Sequence, residues 1–203
     1  RNVTGVQTCA LPILASGVLD DSPSEDALIQ KSNNGADYNG LSIMSEWNEF
    51  RMSATMESVL KGYQDPRMSI YWLPAGASKD NPNGTGSYEG LRNGLTSTEL
   101  TQAINLPTAN SKVGKRWSST NFAGNADYLT TPQNIMSVAE SYFNRAEGAL
   151  LGWNMGGTAA SLYADGIRES MNQWGITDAA AITAYTNSTN VPIAPQDFKN
   201  SPA

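Results

Sequence analysis

The chain contains no histidine in 203 residues. That absence removes the commonest general base, every Ser-His-Asp or Cys-His arrangement and most zinc sites. There is one cysteine, Cys9, so no internal disulfide can form. No apolar run approaches the roughly 18 residues that a membrane-spanning helix needs. Hydrophobic residues make up 39% and charged residues 16%, both low for a compact globule, and Asn, Ser, Thr, Gly and Pro fill the difference. Such a composition suits extended, ordered polar loops. With 19 acidic against 13 basic side chains the net charge is −6, which gives no attraction for phosphate backbones and argues against nucleic-acid binding.

What is present is organised around residues 135–176. Ile135, Val138, Ala139, Tyr142, Phe143, Ala146, Ala149, Leu150 and Trp153 recur at three- and four-residue steps, and so do Ala159, Tyr163, Gly166, Ile167, Ser170 and Trp174. Gly152 and the Gly156–Gly157 pair supply the turn between two helices, and Thr158 caps the second. Small residues on the facing sides (Ala139, Ala146, Ala149, Ala159, Ala160, Gly166) predict a tight antiparallel helical hairpin. Neither helix can bury its apolar face alone. If a flank stays uncovered, each large exposed side chain costs ~1.5–3 kcal/mol, so the chain by itself is expected to be poorly stable.

Elsewhere the signals are shorter. Ser22, Pro23, Ser24 and Glu25 match a capping box with proline at the first helical position, predicting a short helix within residues 14–35. Asp20, Asp21, Glu25 and Asp26 lack the calcium-loop spacing and are read as helix-start acids, not as a metal site. Residues 33–50 are turn-rich, with Asn34-Gly35 and Asn39-Gly40. Ser53 caps a helix to Tyr63 with Met56, Val59, Leu60 and Tyr63 on one face. Asp65-Pro66 then makes a turn before an extended run containing Ile70, Trp72 and Leu73. Residues 74–134 carry no periodicity, and an irregular stretch of that length in a compact domain is usually functional. Thr177 or Asp178 caps a last short helix, followed by a proline-rich segment. The run Val3–Ile13, VTGVQTCALPI, resembles the translation of a sequencing-library adapter. Residues 1–13 are therefore read as foreign and Cys9 as meaningless, with residues 14–203 a fragment of a single domain and the lack of a signal peptide uninformative.

Three segments resemble the SusD/RagB-like outer-membrane lipoproteins. SATMESVLKGYQDPRMSIYW is similar to their helix and "DPR" turn. NIMSVAESYFNRAEGALLGW resembles their "sYAEsyFlrAEAalrGW" helix, and LYADGIRESMNQWGI their "lYnaGIraSmeqwGv" helix, in the same order and spacing. The resemblance implies a mainly α fold, tetratricopeptide-like helical hairpins with long irregular loops, here incomplete. It also implies a lipid-anchored protein on the outer surface of the Gram-negative outer membrane. Such a protein captures a glycan, an oligosaccharide or a peptide for a SusC-like TonB-dependent transporter, without cofactor or catalytic residues. The signal and anchor cysteine would lie upstream.

No fixed contact motif transfers from that family, so candidate ligand residues come from the irregular region. Sugar recognition pairs an aromatic ring with amide and charged groups. Trp117, within KRWSSTNF, is the first candidate, with Tyr88, Arg116, Asn121, Asp80 and Asn81 as companions; the competing reading packs Trp117 under its own loop. Trp72, Trp153 and Trp174 are read as core, and Trp47 carries no assignment. A helical-repeat interaction scaffold without ligand is the alternative function. A glycosidase, needing two carboxylates, ranks below it: Glu140 and Glu147 share a helix face, with Glu147 expected to bond a neighbouring helix or Arg168, and Glu46 and Glu49 lie three apart.

Overall fold

The computed structural model describes residues 18–19, 23–48, 50–119 and 121–188. The adapter-like run with Cys9, the acids Asp20 and Asp21, the Ser22 cap, Glu49 and the proline-rich tail lie outside the described residues. In chain order the elements are β1 (Ala27–Ile29), α1 (Gly40–Glu46), α2 (Ala54–Gly62), α3 (Met68–Tyr71), α4 (Ser97–Leu100), β2 (Gln133–Met136), α5 (Val138–Leu150), α6 (Ala159–Gln173) and α7 (Ala179–Ser188), with single 3-10 turns between them. Strands β1 and β2 pair with each other. The fold is mainly helical, and no helix among the described residues is long and apolar enough to cross a membrane. Two compact units emerge, one from residues up to 29 with 134–188 and one from residues 30–133.

The first unit is the predicted hairpin. Ser137 caps α5 by accepting from Glu140 N, and Thr158 caps α6 by accepting from Ser161 N. Gly152 and Gly156 both take positive φ at the reversal. Val138, Tyr142, Ala146 and Leu162 form one buried cluster, and Ile167, Met171 and Ile182 a second that brings in α7. Close approach depends on Gly166, where a Cβ would sit 2.7 Å from the Phe143 ring. Asp178 caps α7 by accepting from Ala180 N. Several expectations need correction. The helix starts after Ser137, and Ile135 lies in β2, 57% exposed, because a capping serine outranks one apolar residue in register. Residues 23–29 form a 3-10 turn and a strand, and Asp26 caps α5 rather than its own segment, accepting from Val138 N (2.8 Å) and Gln173 Nε2 (2.9 Å). Arg168 pairs with Asp165 and Glu169, while Glu147 is exposed. Leu150 is 78% exposed, and Leu151 and Tyr163 are exposed too. Trp153 and Trp174, expected in the core, are half-buried.

The second unit is built differently. Its core is Met52, Leu60, Trp72 and Val113, with Phe50 stacked on Trp72 at 6.1 Å between ring centroids. Around it the backbone is stitched. Met52 N donates to Ser111 O, Leu91 N to Met52 O, Leu73 N to Lys112 O, and Gly114 N to Tyr71 O at 2.6–2.9 Å. Polar helix faces are buried here. In α2, Glu57 is fully buried while Met56 and Val59 are exposed, so of the expected apolar face only Leu60 reaches the core and Tyr63 is half-buried. The reason is local: Glu57 accepts from Lys61 Nζ (2.6 Å) and from the backbone N–H of Gly90 (2.7 Å), so both carboxylate oxygens are satisfied. An unexpected helix, α1, is capped by Asn39, and its buried positions are Ser42 and Ser45. Residues 68–71 are helical rather than extended, after Asp65 accepts from Arg67 N and the Arg67 guanidinium.

Two glycines of this unit make opposite demands. A Cβ on Gly114 would be driven into the Ile70 carbonyl oxygen, whereas a Cβ on Gly40 meets nothing within 4 Å. Gly114→Ala is expected to destabilise the chain by more than about 2 kcal/mol. Gly40→Ala at the first position of α1 should be neutral or stabilising by about 0.4–1 kcal/mol. Urea midpoints of the two variants against the parent chain check both.

Candidate functional site

All six residues picked from the sequence lie in the 30–133 unit, in two groups. Trp117 ends the 3-10 turn Lys115–Trp117 and is half-buried against the Met52–Leu60–Trp72–Val113 cluster, where Tyr88 also packs. Burial raises the Tyr88 phenol above its ordinary pKa. The exposed Arg116 lies over the Trp117 ring at 6.0 Å, and its carbonyl oxygen accepts from Thr131 Oγ1 (2.6 Å) and Asn125 Nδ2 (3.2 Å). The second group is Asp80, Asn81 and Asn121, all exposed. Asn81 Nδ2 closes its own turn on Gly84 O, and Lys79 N donates to Asn121 O at 2.9 Å, which ties the 78–84 turn to the segment after Trp117.

The first helix anchors that segment. Ser45 Oγ faces Ser118 Oγ at 3.5 Å, Ser119 Oγ donates to Glu46 Oε1 at 3.0 Å, and Ser42 Oγ donates to Tyr128 O at 2.6 Å. Beneath it lies a group with no sequence signal. Lys112 is only 6% exposed; its Nζ sits 2.8 Å from the centroid of the Phe122 ring and has no hydrogen-bond partner among the described residues. The buried Glu46 Oε2 has none either. Burial, reinforced by repulsion from Arg51 and opposed by attraction to Glu46, pushes the Lys112 ammonium down to about 7. Phe122 favours the charged form through its negative ring face, but one ring does not replace the lost hydration. Burial and the same Glu46 carboxylate raise the Tyr128 phenol. Among the described residues no group of three or more Asp, Glu, Cys or His side chains is placed to hold a metal. Of the carboxylates weighed for hydrolysis, Glu140 and Glu147 are exposed on the hairpin, and Glu46 is committed to Ser119.

The profile of the SusD-like family, described as Susd and RagB outer membrane lipoprotein, matches residues 9–202, and the chain belongs to this family. A chitin-binding SusD homolog from Flavobacterium johnsoniae is 37% identical, covering 79% of this chain and 29% of its own, with a TM-score of 0.57. A SusD-like protein from Bacteroides thetaiotaomicron is 34% identical over 88% of this chain and 33% of its own, with a TM-score of 0.64. A SusD homolog from Bacteroides vulgatus is 30% identical with the same coverage and TM-score. The chain therefore spans about a third of the length of these structures. No curated protein sequence matches it.

Lys112 makes stability depend on pH in a stated direction. Its folded pKa, about 7, lies below the ordinary 10.5 of the unfolded chain. Between those values the unfolded state binds more protons, so stability rises with pH across that window and is flat below it. Lys112→Met is expected to be more stable than the parent at pH 6, with the gap closing towards pH 10. Urea midpoints of both proteins at pH 6, 8 and 10 measure the difference; a gap constant with pH rules the assignment out.

Proposed function

We propose that residues 14–203 are part of one SusD-like domain of a lipid-anchored, cell-surface glycan-binding protein, with residues 1–13 foreign to it. The whole protein captures a glycan or oligosaccharide and passes it to a SusC-like TonB-dependent transporter in the outer membrane. Its role is binding and not catalysis. The observation that carries this reading is the 37% identity, over 79% of the chain, to a chitin-binding homolog of the same family. The site fits it. An aromatic ring backed by a rigid core, a guanidinium beside it and exposed amides on pinned loops are the groups that recognise a sugar face and its hydroxyls. The acidic chain does not suit phosphate-bearing ligands.

In this reading Trp117, with Arg116, Tyr88, Asn121, Asp80 and Asn81, supplies the ligand surface. Calorimetric titration with chitohexaose, cellohexaose and maltohexaose tests it. Binding to at least one is expected, and Trp117→Ala should lower that affinity tenfold or more, about 1.4 kcal/mol. No binding to any of the three overturns the glycan reading for these ligands, and an unchanged affinity removes Trp117 from the site.

A further inference from the structure

The tryptophan most open to solvent is not Trp117 but Trp47, 64% exposed at the C-terminal end of α1, with Met44 exposed one turn earlier. Exposure alone is ordinary for a single surface side chain. The turn beneath the indole is rigidly built: Trp47 N donates to Ile43 O, and Asn48 N to Ser45 O. Asn48 then takes a positive φ of 64°, a conformation that asparagine tolerates better than most residues. Its Oδ1 accepts from Arg51 Nη2 (2.8 Å), while Arg51 Nε donates to Pro107 O (3.0 Å) and Nη1 to Phe50 O (2.7 Å). The guanidinium is thus fixed, with N–H capacity beyond those three bonds, and the Asn48 Nδ2 donors are uncommitted among the described residues.

The last turn of α1 is the one that Ser45 and Glu46 pin to Ser118 and Ser119, so Trp47 follows directly on the residues that hold the Trp117–Asn121 segment. Trp117 gives up part of its surface to the hydrophobic core, whereas Trp47 keeps its own. A flat indole on a preorganised turn, followed by an amide and a guanidinium, matches a pyranose ring with one C–H-lined face and hydroxyls at its edge.

Resting on the glycan-binding reading, we propose that Trp47 is a stacking platform of the ligand surface, with the Asn48 amide and the Arg51 guanidinium bonding the hydroxyls of the stacked pyranose. The aromatic platform of the site then extends from Trp117 to the end of α1.

The test uses the full 203-residue chain and the hexasaccharide that binds it best of chitohexaose, cellohexaose and maltohexaose. Trp47→Ala is expected to weaken binding tenfold or more without moving the urea midpoint, because an indole this exposed contributes little packing. Trp47→Phe, which keeps a ring, should retain affinity within about threefold while reducing the blue shift of tryptophan emission that ligand produces in the parent chain to the share contributed by Trp117. Unchanged affinity in Trp47→Ala beside a loss in Trp117→Ala overturns the platform and leaves the glycan reading standing. Failure of the unaltered chain to bind any of the three overturns both.

Discussion

The 30–133 unit hangs on one buried segment, residues 110–114. Asn110, Ser111, Lys112, Val113 and Gly114 are all buried, although only Val113 is a large apolar residue. Such a segment survives only if its backbone groups find partners. On one side Ser111 bonds Met52 and Glu89 through its backbone, and on the other Lys112 and Gly114 bond Leu73 and Tyr71. Asn110 spends its side-chain amide on the carbonyls of Ile104 and Leu106. Every loop of the candidate surface leaves from a strip of chain that this segment holds. Gly114 is the point of closest approach, where no other residue fits beside Ile70.

This construction explains how so polar a chain presents ordered loops at the candidate surface. Association costs less when the contacting groups are already fixed. Here the fixing is done by short turns bonded through backbone and hydroxyl groups: Thr131 on Arg116, Ser119 on Glu46, Lys79 on Asn121. The two aromatic positions answer to different constraints. Trp117 belongs partly to the core, so its replacement reaches stability, while Trp47 is free of that duty.

The two units were legible to different degrees. The α5–α6 hairpin could be read closely because apolar residues at a 3.6 period, capping Ser and Thr, and glycines at the reversal all agree. Ile135 fell in register with a helix that a capping serine begins two residues later, and Leu150 and Tyr163, apolar positions of the same period, are exposed. The 30–133 unit could not be read in this way, because its buried positions are polar. Glu57 inside α2, Ser42 and Ser45 inside α1, and Lys112 beneath Phe122 are core residues whose place is fixed by partners far along the chain. No local period announces them. The candidate site shared this limit. The irregular region was found by its lack of pattern, and the structure ties Asp80–Asn81 to Asn121, but nothing local marked Trp47 or set Glu46 apart from other surface acids.

The pairing of β1 with β2 bears on how such a protein can diversify. The strands are short and exposed, yet they join Ala27–Ile29 to Gln133–Met136 across more than a hundred residues of intervening chain. The chain thus enters and leaves the 30–133 unit through one hydrogen-bonded neck, the topology of an inserted module whose ends are clasped together. Loops beyond such a neck can lengthen, shorten or exchange residues at small entropic cost, because closure is already provided at the base. Inheritance can then act on the two halves at different tempos. Substitutions in the clasped module can leave the packing of the helical hairpin unchanged.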